Sequence, residues 1–151
     1  MTWLVWIHVL SAFLGIGPTF FGHVLLRKKQ QRAQLQQSLA LFQLLNYFPK
    51  IGGSIAVASG VALVALTGWA FSDLWILISL VLYVIIQFVV VGMLTPILNR
   101  LNQALQASDE QANVPDAQAK ESALLAKASQ LYNTASLLGI ALVLMMVIKP
   151  M

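Results

Sequence analysis

Four apolar stretches, each long enough to cross a bilayer, take up most of this 151-residue chain and decide what it can fold into. In hydrocarbon every backbone polar group must find a partner within the protein, so each stretch reads as a helix. The predicted spans are 3–26, 51–71, 74–98 and 128–148. Residues 27–50 and 99–127 connect them on one side, and a tight turn at Ser72 and Asp73 connects them on the other. The first span, at about 1.5 Å per residue, is about 36 Å long and covers a hydrocarbon core of about 30 Å. No Lys or Arg precedes it, while Arg27, Lys28, Lys29 and Arg32 follow, the reverse of a cleavable signal peptide. The expected fold is therefore all-α: an integral membrane four-helix up-and-down bundle forming a single transmembrane domain, with no room for a separate catalytic domain.

Charge orients it. Arg27, Lys28, Lys29, Arg32, Lys50, Arg100, Lys120 and Lys127 lie on one side and Lys149 alone on the other, so eight basic residues against one put both termini outside the cytoplasmic membrane. The net charge of +4 thus reads as a topology signal and a contact with the lipid bilayer, not as a nucleic-acid surface. With no cysteine, disulfides, thiolate metal sites and thiol redox chemistry are excluded.

Small residues mark packing faces. Gly52, Ala56 and Gly60 recur every four positions on the second span, with Ser54, Ala58 and Ala62 on a neighbouring face, and such a surface lets another backbone come close. It is the expected face of a homodimer. Gly15, Gly17, Pro18 and Gly22 crowd the first span, which should kink or unwind there, as a hinge, a crevice or a packing site for the second span. Leu35, Leu39, Phe42 and Leu45 make one stripe, predicting an interfacial helix or a continuation of the first span that Pro49 stops. Pro96 is expected to kink or end the third span, and 101–127 to be a solvated connector. Trp69, Phe71 and Trp75 suit the outer interface.

Chemistry has few carriers. No Asp, Glu, Lys or Arg lies deep in a span, which argues against a proton-driven pump; His8 and His23 are the only intramembrane groups that titrate near neutral pH. They are fifteen residues apart on one helix, about 22 Å, and cannot share a metal. Depth arithmetic sets His8 level with Ser79 and near Met145, with the Tyr83 hydroxyl within reach; Ser79, Tyr83 and Gln87 form the polar stripe of the third span. His23 falls level with Ser54 and Asn133, beside the polar face of Ser129, Tyr132, Asn133, Thr134 and Ser136, and reads as a residue snorkelling to the interface. His8 reads either as a hydrogen-bond glue to Tyr83 or Ser79, or as an axial ligand to haem b or, with Met145 or Met146, to Cu(I). On the second reading His8, Tyr83 and Met145 make the cofactor site, and Lys149 meets a propionate.

Ile7-His8-Val9-Leu10-Ser11-Ala12 with Gly15 to Phe20, the closing Leu66-Thr67-Gly68-Trp69, and Pro96 to Leu101 with Arg100 resemble a family of small bacterial integral membrane proteins known only as a domain of unknown function. That resemblance brings no activity. More distantly, an early-span histidine before a Gly-rich segment is similar to the copper-resistance protein D family and to the bacterial membrane protoporphyrinogen oxidase family, whose resemblance implies haem on a first-helix histidine. Only His8 matches that position, and neither the second histidine nor the intramembrane basic residues of the oxidases are reproduced. The thin polar complement points to an accessory protein rather than an enzyme. Three classes stay open: a haem- or copper-binding accessory protein, a small-molecule or ion transporter acting as an oligomer, and a structural partner subunit. The charge count predicts that a reporter active only in the cytoplasm works when inserted near Ala112 and fails at Asp73; the opposite pattern reverses the topology.

Overall fold

The computed structural model describes residues 2–27, 31–107 and 115–148, with backbone placement alone for 18–21, 32, 115 and 117. The fold is all-α, and four helices are long and apolar enough to cross a membrane. One end of the bundle carries Trp3, Trp6, Trp69 and Trp75, the other Arg27, Arg100 and Lys127; we call these the tryptophan end and the basic end.

Helix α1 (Thr2–Leu25) runs from the tryptophan end to the basic end. It stays helical through Gly15, Gly17 and Pro18, so the expected unwinding does not occur. Helix α2 (Arg32–Leu45) buries the predicted stripe of Leu35, Leu39 and Phe42. It passes to α3 (Tyr47–Thr67) through Asn46, itself in helical conformation at φ −69°. The break therefore falls before Pro49, not at it. Pro49 sits in the first turn of α3, where a missing N–H leaves no intrahelical bond unmade. Gly68, at φ 76°, ends α3 in the left-handed conformation that glycine adopts without strain, four residues earlier than Phe71. Asp73 turns the chain back, its Oδ2 accepting from the Ala70 N–H at 3.2 Å, and Trp69 and Trp75 meet edge to face at 5.4 Å.

Beyond that turn, α4 (Leu74–Gln87), a π-helical segment (Phe88–Leu94) and α5 (Thr95–Ala107) form one uninterrupted rod. Pro96 does not end it. In a straight α-helix the Pro96 ring would collide with the carbonyl four residues back. Here the preceding turns widen, and the Thr95 N–H and hydroxyl both bond to Val90 O, five residues back. Helix α6 (Pro115–Ile148) opens on a proline, as helices commonly do.

Helix α1 lies against α3 and α6, α6 also covers α4, the π segment and α5, and α4 reaches α3 through the side chains of Tyr83 and Gln87, which approach Gly53. Around the bundle the order is therefore α3, α1, α6, α4, with the α4 side chains returning to α3. The closest approach is between α1 and α3. A Cβ added to Gly52 would stand 2.7 Å from Gly15 N and 2.8 Å from Ser11 O. The Gly52, Ala56 and Gly60 face is thus occupied by α1 of the same chain and is not open for the expected dimer.

The rods of α4–α5 (34 residues) and α6 (34 residues) would each be about 51 Å long, well beyond a core of about 30 Å. Their overhang is not a solvated connector. Leu94, Leu101 and Leu105 are fully buried with Leu39 and pack with Leu26, Leu125 and Tyr132 into one cluster at the basic end.

The Gly52 approach predicts that Gly52→Ala lowers detergent stability by about 1–3 kcal/mol, because backbone atoms cannot yield. Gly53→Ala, whose Cβ would meet only side-chain atoms, the Tyr83 hydroxyl nearest at 3.3 Å, should lose much less. Equal melting temperatures for the two variants would contradict this packing.

Candidate functional site

Each histidine ties α1 to a different helix. His8 faces α3, where its Nδ1 lies 2.8 Å from the Ala56 carbonyl oxygen and 3.2 Å from Ser59 Oγ. A carbonyl oxygen can only accept, so in the neutral ring the proton is on Nδ1 and the lone pair on Nε2. Ser59 is no rival for that proton, since it lies farther away and gives its own hydrogen to Ile55 O at 2.7 Å. Nε2 has no hydrogen-bond partner among the described residues. The ring is half-buried over Gly60, where a Cβ would come 3.0 Å from Cε1. Ser11, one turn along α1, is buried and donates to the His8 carbonyl at 3.0 Å.

His23 faces α6. Its Nε2 is 3.1 Å from Ser136 Oγ, and its ring meets Tyr132 edge to face at 5.3 Å, though the residue remains exposed. Tyr132 lies on Gly22 so closely that any Cβ there would overlap its ring, and it meets Phe42 edge to face at 5.6 Å. Ser54, expected at this level, instead donates to the Lys50 carbonyl at 2.7 Å.

The structure does not bring Tyr83 to His8. The Tyr83 hydroxyl and Gln87 Nε2 approach Gly53, seven residues from Gly60 and so about 10 Å along α3 from the His8 ring. Met145 is half-buried on α6, whose described hydrogen bond to α1 is at Ser136, toward the basic end. Ser79 is buried on α4 with its Oγ unpartnered among the described residues. Lys149, Lys28 and Lys29 lie outside the described residues, as do the side chains of Pro18 and Thr19. The partners that depth arithmetic missed, Ala56 and Ser59, stand on the helix that actually flanks α1. Among the described residues no group of three or more His, Cys, Asp or Glu could hold a metal ion.

A span-rich, ligand-poor chain of this kind has a counterpart in sequence space, and the match runs over residues 2–150. The chain belongs to the family described as Predicted integral membrane protein (DUF2269). No curated protein and no solved structure matches it. The DUF2269 description agrees with four bilayer-length helices and fixes the protein as multi-pass and membrane-embedded.

The geometry predicts that neutral His8, observed by nitrogen NMR of histidine-labelled protein, carries its proton on Nδ1, and that Ser59→Ala leaves this tautomer in place. A neutral form protonated on Nε2 would contradict the Ala56 contact.

Proposed function

We propose that the protein is a membrane-embedded accessory protein that presents His8 Nε2 as an axial ligand to haem or to Cu(I). One observation carries the reading: the Nδ1–Ala56 carbonyl contact at 2.8 Å fixes the tautomer and aims the lone pair of Nε2 away from the protein's own donors. Ligating histidines are commonly held in this way, by a carbonyl or carboxylate on the other ring nitrogen, which also raises the basicity of the ligating one. A single neutral imidazole without a carboxylate cluster fits an axial bond to haem iron or a soft monovalent ion, and fits a divalent cage poorly. Bound there, haem iron would supply one-electron transfer or gas-ligand binding, while this chain's part is to orient His8, through Ala56 and Ser59, and to exclude water. The excess of basic residues on one side supports placing His8 in the outer half of the cytoplasmic membrane, with both termini outside.

A second reading, transport by an oligomer, draws on the Tyr83 hydroxyl and Gln87 amide set against Gly53 within the span. The two separate cleanly. Protein expressed with added haem precursor should show Soret absorption that His8→Ala abolishes and His23→Ala retains. No Soret absorption in wild type after haem loading, together with no Cu(I) retained through desalting, would overturn the ligand reading, and loss only in His23→Ala would move the site to the basic end.

A further inference from the structure

We propose that a cleft between the end of α1 and α2 is a binding site for an anionic phospholipid, with Arg27 and Gln37 on its phosphate and Val24 and Leu41 along its acyl chains. The cleft has a volume of about 420 Å³, and these four residues with Gln34 line it. Its depth is that of a headgroup. From Trp3 to Arg27 the chain climbs twenty-four residues, about 36 Å, so Arg27 stands about 6 Å past a core of about 30 Å and within the interfacial layer.

Polarity runs along the cleft in the sense an amphiphile requires. Since α2 continues α3 antiparallel to α1, Val24 and Leu41 lie on the bilayer side, and Arg27, Gln37 and Gln34 on the water side. Arg27 is exposed and has no ion-pair partner among the described residues. None is near in sequence either: the first acidic residue of the chain is Asp73. Gln37 has no hydrogen-bond partner among the described residues, and Gln34 uses only its Oε1, accepting from the Gln31 N–H at 3.4 Å, which leaves its amide hydrogens. A guanidinium flanked by two amides supplies planar, multiple donors suited to phosphate oxygens. A free phosphate would use the donors but leave the Val24 and Leu41 wall without a complement, whereas a phospholipid uses both.

The test is native mass spectrometry of the full chain from micelles containing equal amounts of phosphatidylglycerol and phosphatidylcholine. Wild type should retain one phosphatidylglycerol in preference to phosphatidylcholine. Arg27→Gln should lower that preference about fivefold, as loss of one interfacial basic residue implies, while Arg100→Gln, equally basic but outside the cleft, should not. Gln37→Leu keeps the charge and should still lower retention, by about threefold, the effect of one lost hydrogen bond. The proposal is overturned by no preference in wild type, by equal losses in Arg27→Gln and Arg100→Gln, which would mark diffuse attraction, or by full retention in a folded Gln37→Leu. Displacement of the lipid by millimolar inorganic phosphate would likewise overturn it, assigning the cleft to free phosphate.

Discussion

The contact between the backbones of α1 and α3 at Gly15 and Gly52 sets the geometry of the tryptophan end. No side chain separates the helices there, and a Cβ on Gly52 would overlap Gly15 N and Ser11 O. Within lipid there is little hydrophobic gain from bringing two apolar helices together, so association rests on such close van der Waals contact and on interhelical hydrogen bonds. Once Gly15 is opposite Gly52, the antiparallel register leaves no choice for His8, two turns nearer the tryptophan end. It must fall beside Ala56, Ser59 and Gly60. Gly60 makes room for the ring, the Ala56 carbonyl takes its proton, and the free nitrogen follows from both.

Two solvents give this chain two kinds of interior. Along the spans most buried positions are small and often polar, among them Ser11, Gly15, Gly52, Ser59, Ser79 and Ser136, with Leu142 an exception, while Trp6, Phe13, Val84 and Leu137 face outward. Toward the basic end the pattern inverts: Leu39, Leu94, Leu101 and Leu105 are wholly enclosed. Burial of large aliphatic side chains lowers free energy only where the alternative is water. The inversion therefore marks where helices leave the membrane. The rods that overhang the bilayer clamp one another there, with α2 reaching α5 and α5 lying on α6. Each His–helix contact belongs to a different regime: His8 to the lipid-facing pair, and His23, with Tyr132 and Phe42, to the edge of the aliphatic cluster.

The helices themselves were legible from apolar length, because hydrocarbon permits little else. Heights were partly legible, since 1.5 Å per residue carries His8 close to its depth whichever helix is counted. Lateral order was not. Ser79 was chosen as a neighbour of His8 by depth alone, but the His8 ring faces α3, and the α4 backbone makes no close approach to α1. Spacing showed that the Gly52, Ala56 and Gly60 stripe is a contact face, yet it cannot say whose backbone arrives, and the occupant is α1. Pro96 misled because a local penalty was read without its remedy, the widened turn that Thr95 and Val90 close. The signal for the basic-end cluster was present in Leu94, Leu98, Leu101 and Leu105 at helical spacing, and went unread beneath the polar composition around it.

Register between α1 and α3 is the claim on which the site depends, and a chain without cysteine allows it to be read directly. Oxidative crosslinking in membranes of three double variants, Ser11→Cys with Ala56→Cys, with Val64→Cys or with Ser79→Cys, is the measurement that bears on it most closely. A disulfide requires Cα atoms within about 7 Å. The structure predicts rapid crosslinking of the 11–56 pair and none of the 11–64 and 11–79 pairs. Crosslinking of 11–79 in preference to 11–56 would place α4 beside α1 and contradict the account.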